Sequence, residues 1–156
     1  MAPAQDAQQD AGALETVETL WQAVGARTYR MSAATHDAIF AAVSHMPHML
    51  AYAYVHQIAE HPDGQTYLDF AASGFRDFTR IAASDPTMWR DVFLNNREAV
   101  LEVLGRFSED LAALQRAIRW GEGDTLYDLF DRARRMRREV IDAGQDTPTP
   151  NWGREN

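Results

Sequence analysis

Two amino acids are missing from the 156-residue sequence, cysteine and lysine. Without cysteine the chain has no disulfides, zinc–thiolate sites, iron–sulfur clusters or cysteine nucleophile. Without lysine it has neither Schiff-base chemistry nor the phosphate-binding lysine of a P-loop. Arginine supplies all 15 basic side chains, and the formal net charge is −8. This acidic balance argues against a nucleic-acid partner.

Several functional signatures are also missing. No apolar run approaches the roughly 18 residues that cross a bilayer, and residues 1–6 do not resemble a signal peptide. We therefore expect no membrane partner and a cytoplasmic protein. Gly121 and Gly123 are followed by Leu126 where a dinucleotide-binding turn needs its last glycine. All five histidines lie within residues 36–61, but they match no common metal motif, so we expect no metal site.

Helical periodicity dominates what is present and predicts an all-α helical bundle. Apolar side chains recur at spacings of three and four in residues 14–24, 39–58, 100–118 and 126–140. The second stretch contains Pro47, which predicts one long Pro-kinked helix. Only residues 28–31 suggest a short strand, and no partner strand is evident. Helix starts are predicted at Ser32, Asp85 and Asp124, and a helix end is predicted at Gly25.

The first candidate site is the sequence of residues 44–48, which places two histidines around a proline. Pro47 cannot donate a backbone hydrogen bond, and in a helix interior it costs about 3 kcal/mol. His45 and His48 are three residues apart, so both can face one side. A binding site explains this costly arrangement. The alternative is that Pro47 only bends a long helix around a core.

The second candidate is the arginine pair within residues 74–80. Arg76 and Arg80 share a helix face, where like charges repel, and the arginine fork suits a carboxylate. Gly74 allows close backbone approach. A solvated face with Asp77 as local counter-ion is an equally good interpretation. Trp89 follows in the next helix, where we expect an exposed side chain at an interface.

A third charged segment, residues 132–138, contains five arginines. It could bind phosphate or nucleic acid. Because Asp128, Asp131 and Glu139 lie beside it, we interpret it as a solvated helix face.

Three stretches in this order carry a resemblance to a known family: residues 36–48, 74–82 and 84–89. Together they resemble the C-terminal helical domain of prephenate (or arogenate) dehydrogenase, over about residues 13–140. Each motif alone is weak, and their order and spacing make the resemblance specific.

The resemblance implies an NAD- or NADP-linked enzyme that oxidatively decarboxylates prephenate or arogenate in tyrosine biosynthesis. It also implies an intertwined homodimer. His48 would contact the substrate, Arg80 would bind a substrate carboxylate, and Trp89 would reach into the neighbouring subunit's pocket. A small dicarboxylate substrate agrees with the arginine chemistry. The other implied site residues are Gly74 and His45 in the pocket, Arg76 and Asp77 in ion pairs at its entrance, and His36 nearby.

The sequence departs from this family because it has no dinucleotide-binding domain and no catalytic histidine of that domain. We interpret residues 1–31 as a remnant of that domain's end, residues 32–143 as the helical dimerisation and substrate-pocket domain, and residues 144–156 as a disordered tail. We expect no NAD or NADP bound by this chain and no activity from it alone. Ser73 replaces a second glycine that the family often has.

Two other interpretations remain open. One is a stand-alone helical dimer that binds a carboxylate ligand or a partner protein without catalysis. The other is a folded fragment without either function.

Overall fold

A computed structural model describes residues 10–144, and all its regular structure is helical, with no strand in that range. The all-α fold class is confirmed. The helices are α1 (Ala11–Ala23), α2 (Ala33–Phe40), α3 (Met46–Ala59), α4 (Gly64–Asp69), α5 (Ser73–Thr79), α6 (Pro86–Asn95), α7 (Arg97–Trp120) and α8 (Gly123–Asp142). A π-helical segment (Ala41–His45) joins α2 to α3, and a 3-10 turn (Arg80–Ala83) follows α5.

The segment after α1 differs from its prediction. Helix α1 ends just before Gly25, whose φ of 84° is left-handed as the predicted stop requires. Residues 28–31, however, form no strand. A strand needs a neighbour for its backbone groups, and the described residues offer none. Side chains hold the segment to α1 instead: Gln22 donates to Thr28 at 3.0 Å, and Arg30 donates to Glu18 at 2.7 Å.

The predicted long helix is present as three consecutive segments over residues 33–59. Ser32 caps its start by accepting from the Thr35 amide at 3.1 Å, as predicted. The Met46 amide bonds to the Ala41 carbonyl, a five-residue step. Pro47 therefore lies directly after a widened turn, and the helix continues beyond it.

Among the later helices, the start of α6 follows from local sequence and the start predicted for α8 does not. The Asp85 carboxylate accepts from the Met88 amide at 2.8 Å, and Pro86 takes the first helical position, as predicted. Helix α4 was not predicted. Helix α8 begins at Gly123, so Asp124 lies in its first turn and is not the cap. That part of the prediction is wrong because Gly121, with a φ of 67°, already turns the chain.

The chain divides into two compact units, residues 1–105 and 106–156, and α7 passes from the first into the second. In the first unit, buried apolar side chains lie on the π segment, α3, α6 and the start of α7: Ala41, Met46, Ala51, Trp89 and Val100. They form the core on which the candidate site is built.

In the described part of the second unit, Ala117 is the buried apolar residue. Many large apolar side chains there are more than half exposed: Leu111, Ile118, Trp120, Tyr127, Phe130 and Met136. Several of them line an open groove of about 570 Å³. The predicted disordered tail falls, apart from Gly144, outside the described residues.

Candidate functional site

The site centres on an aromatic stack between α3 and α6. The imidazole of His48 lies flat against the indole of Trp89, with ring centroids 3.7 Å apart and planes 23° apart. Phe93, one turn further along α6, packs on Trp89 at 5.7 Å. The sequence-predicted residues His48 and Trp89 are therefore in direct contact within one chain.

A backbone hydrogen bond fixes the orientation of His48. Its Nδ1 lies 2.9 Å from the carbonyl oxygen of Ser44. Because a carbonyl oxygen only accepts, Nδ1 must carry the proton. The neutral ring then has an unprotonated Nε2, which can accept a hydrogen bond, and the protonated ring can donate from Nε2 to an anion.

His45 is held by Asn96, which sequence reasoning missed. The Asn96 side-chain amide donates to the Asp37 carbonyl at 2.9 Å and lies 3.1 Å from Nδ1 of His45. Burial lowers the pKa of His45 below its usual 6.5, and the nearby His36 and His48 lower it further against the opposing charge of Asp37. His45 is therefore a neutral structural link between the π segment and the α6–α7 junction.

This arrangement makes stability depend on pH. The unfolded chain binds a proton at position 45 more readily than the folded chain. The His45 contribution is therefore complete above the unfolded pKa and is lost as pH falls below it. We expect the free energy of unfolding to decrease as the pH falls below about 6.5, the ordinary pKa of histidine, measured by urea titration. His45→Gln should make this decrease smaller, whereas the exposed control His56→Gln should not. An unchanged slope in His45→Gln contradicts the assignment.

The expected exposure of Trp89 is wrong. Trp89 is only 7% exposed, because α6 packs its first turns against α3. Its Nε1–H is buried and has no acceptor among residues 10–144, which normally costs about 1–3 kcal/mol. An incoming ligand or a second chain could supply that acceptor.

The arginine segment packs on the same helix as His48. Tyr54 of α3 contacts Phe75 and Phe78 of α5, with ring centroids 5.6 and 6.4 Å away. Tyr52, also on α3, donates its hydroxyl to the Ser84 carbonyl at 2.6 Å. These contacts fix α5 and the 3-10 turn against α3.

The charged side chains of this segment are exposed to solvent. Arg76, Asp77 and Arg80 are all exposed, and none forms an ion pair with another residue in the described range 10–144. Gly74 is exposed too, with open space around its α-carbon. No direct contact joins these four residues to His48. The predicted entrance ion pairs of Arg76 and Asp77 therefore stay a prediction.

His36 lies apart from the stack. Its Nδ1 is 3.0 Å from the Asp37 carboxylate, and its ring packs on Phe40 at 4.4 Å. It lines an open groove of about 650 Å³ between α1 and residues 26–37. The charge of His36 nevertheless acts on His45, so it contributes to the site's electrostatics.

Residues 10–144 lack three further features, a dinucleotide-binding turn, a metal-ligand cluster and a membrane-spanning helix. Residues 10–144 contain no glycine-rich strand–turn–helix of the kind that holds a dinucleotide. They bring together no group of three metal-ligating side chains. No helix among them is both long and apolar enough to span a bilayer.

Curated proteins similar to this chain are dehydrogenases of one kind. Cyclohexadienyl dehydrogenase of Zymomonas mobilis is 37% identical over 134 residues, covering 85% of this chain and 46% of that protein. Prephenate dehydrogenase of Bacillus subtilis is 33% identical, covering 82% of this chain and 35% of that protein. The chain thus spans less than half the length of these relatives.

Solved structures and a family profile agree with them. Prephenate dehydrogenase from A. aeolicus, in complex with hydroxyphenyl propionate and NAD+, superposes with a TM-score of 0.78 at 34% identity, covering 88% of this chain and 48% of that one. Synechocystis arogenate dehydrogenase gives 0.73 at 25% identity, covering 84% and 48%. The profile described as prephenate dehydrogenase, dimerization domain, matches residues 32–132. The chain therefore belongs to the prephenate dehydrogenase dimerization-domain family.

Proposed function

We propose that this chain supplies the dimer interface and part of the substrate pocket of a prephenate dehydrogenase. In that reaction a hydride passes to NAD+ or NADP+ and CO2 leaves the substrate, so prephenate becomes 4-hydroxyphenylpyruvate. Arogenate would give tyrosine. The observation that carries the proposal is the His48 site, an oriented imidazole with an available Nε2 in a chain of this family. We also propose a cytoplasmic location.

His48 and Arg80 bind different groups of a small dicarboxylate substrate. His48 contacts the substrate through Nε2, as an acceptor for a hydroxyl or, when protonated, as a donor to a carboxylate. Arg80 binds a carboxylate with two parallel hydrogen bonds. Its exposure and its lack of an ion pair within residues 10–144 support this role, because no described acidic side chain competes for the guanidinium.

Homodimer formation explains the apolar surface of the second unit. A single chain leaves Ile118 66% exposed and Phe130 56% exposed, and exposed apolar patches of this kind mark interaction sites. A second copy would cover the same patch on both chains, as two-fold symmetry requires. The description of the family as a dimerization domain supports the same partner.

The chain alone should not turn over prephenate. Hydride transfer needs a nicotinamide held against the substrate, and we assign the cofactor to a dinucleotide-binding domain like that of the full-length enzymes. That domain is the second partner we propose. Purified chain with prephenate and either cofactor should therefore produce no NADH or NADPH.

Substitution of Arg80 tests the carboxylate role. We expect Arg80→Ala to weaken binding of hydroxyphenyl propionate about 10- to 100-fold, measured by calorimetry, because a charge-assisted pair is lost. Arg80→Lys should bind with intermediate strength because it keeps the charge but loses the planar fork.

The matched control is Arg97→Ala, which removes another exposed arginine of the same unit. It should bind like the natural chain. Equal affinities for Arg80→Ala and Arg97→Ala would contradict the assignment. Absence of binding by the natural chain would contradict the proposed pocket itself.

A further inference from the structure

The turn that precedes His48 combines two uncommon features. Residues 41–45 form a π-helical segment, in which the Met46 amide reaches back five residues to Ala41. Pro47 follows and has no N–H. The carbonyls of Ala42 and Val43, five and four residues before it, therefore receive no hydrogen bond from position 47. Position 47 therefore supplies no backbone donor to this turn.

The Ser44 carbonyl lies in the same turn of the helix. In a regular helix each carbonyl points along the axis and is covered by the amide four residues later. Helices bend sharply at prolines, at π bulges and where a side chain enters the ladder of backbone hydrogen bonds. Helical side chains also lean towards the N-terminus, over the residue four positions back. These directions bring Nδ1 of His48 to 2.9 Å from the Ser44 oxygen.

We infer that Pro47 and the π segment are positioning features that lock His48 in the Nδ1–H tautomer. An unconstrained histidine in water prefers the Nε2–H form, and the hydrogen bond made by one ring nitrogen decides the state of the other. Because Nδ1–H donates its hydrogen bond to the Ser44 carbonyl, the neutral ring presents Nε2 as an acceptor. The inference rests on the proposed function only for the identity of the ligand group, a substrate hydroxyl.

The stack with Trp89 serves a different purpose in this arrangement. It fixes the plane of the imidazole but cannot distinguish the two nitrogens, because both lie in that plane. Stacking alone would therefore leave both tautomers accessible. The hydrogen bond to the Ser44 carbonyl selects the Nδ1–H tautomer.

The test is nitrogen-15 NMR of the histidine rings without any ligand, since protonated and unprotonated ring nitrogens resonate far apart. His48 is assigned by the signal that disappears in His48→Gln. In its neutral form, His48 should be mainly Nδ1–H in the natural chain. Pro47→Ala restores the missing amide and suits a helix, so Nδ1–H should become the minor form. Pro47→Gly restores the same amide without alanine's helix propensity and should shift in the same direction.

Two controls separate this effect from general perturbation. Pro62→Ala changes a proline in the turn after α3 and should leave His48 in the Nδ1–H form. Trp89→Phe keeps a stacked ring and should do the same. The inference is overturned if His48 is Nε2–H in the natural chain, if both Pro47 variants retain Nδ1–H, or if either control loses it.

Ligand binding gives an independent measurement. Hydroxyphenyl propionate and phenyl propionate differ only in one hydroxyl group. The ratio of their affinities therefore measures how strongly the chain recognises that group. The natural chain should prefer the hydroxylated compound, and Pro47→Ala should lose most of that preference. If neither compound binds while the NMR result stands, the proposed function fails and the tautomer assignment survives. A preference that is unchanged in Pro47→Ala contradicts the role of the lock in ligand recognition.

Discussion

Trp89→Ala should cost about 3–5 kcal/mol of the free energy of unfolding, the range for removing a buried aromatic side chain. The indole is 7% exposed and contacts His48, His45 and Phe93. Its removal leaves a cavity between α3 and α6 that rigid helices cannot fully close. Since domains have only about 5–15 kcal/mol of stability, this is a large fraction. Urea unfolding followed by circular dichroism measures it.

The matched control is Trp21→Ala on α1, whose indole is 55% exposed. It should cost less than about 1 kcal/mol, because the side chain is already largely hydrated. Equal losses in the two variants would show that Trp89 is not part of the core. Trp89→Phe should fall between the two, since it keeps a ring against His48 and also removes the buried indole N–H that has no described acceptor.

A second large effect is expected in the oligomeric state. Ile118→Glu combined with Phe130→Glu should convert the proposed dimer into a monomer, measured by sedimentation equilibrium. Both side chains line the apolar groove of the second unit. Two carboxylates placed in a self-complementary interface would be buried without partners on both chains, and unpaired buried charges are strongly unfavourable.

Thr125→Glu is the control for added charge. It places a carboxylate on the exposed first turn of α8, outside the groove, where the helix dipole favours it. This variant should remain a dimer. A natural chain that sediments as a monomer, or a double variant that stays dimeric, would contradict the proposed interface.

Local rules predicted three helix boundaries correctly because those boundaries depend on neighbouring residues. Ser32 and Asp85 cap helices through their own side chains, and Gly25 adopts the left-handed conformation that ends α1. Helix α4 was missed because its start depends on packing. A β-carbon on Gly64 would lie 2.4 Å from the Ile58 carbonyl, so the glycine marks a close approach that composition alone assigns to a turn.

The sequence analysis named residues of the candidate site but did not predict which of them are in contact. The histidine–proline motif and Trp89 were identified as important, but their contact depends on how α6 packs on α3. Asn96 was missed because its hydrogen bond to His45 joins residues 51 positions apart. Periodicity carries no information about such pairs. An asparagine at the α6–α7 junction was the only available signal, and it equally suits a simple helix end.

The strand predicted at residues 28–31 also failed because local sequence does not show which segments pair. Its composition was suitable, but a strand forms only beside a neighbouring strand, and residues 10–144 contain no strand. The interpretation of residues 1–31 as the remnant of another domain stays a prediction.

The most direct test of the pocket is amide and arginine side-chain NMR of the natural chain titrated with prephenate. We expect shift changes at residues 44–48 and 74–80, including the Arg80 guanidinium, and little change at residues 14–24. Changes confined to α1, or none at millimolar prephenate, would contradict the claim that this chain carries part of a prephenate dehydrogenase substrate pocket.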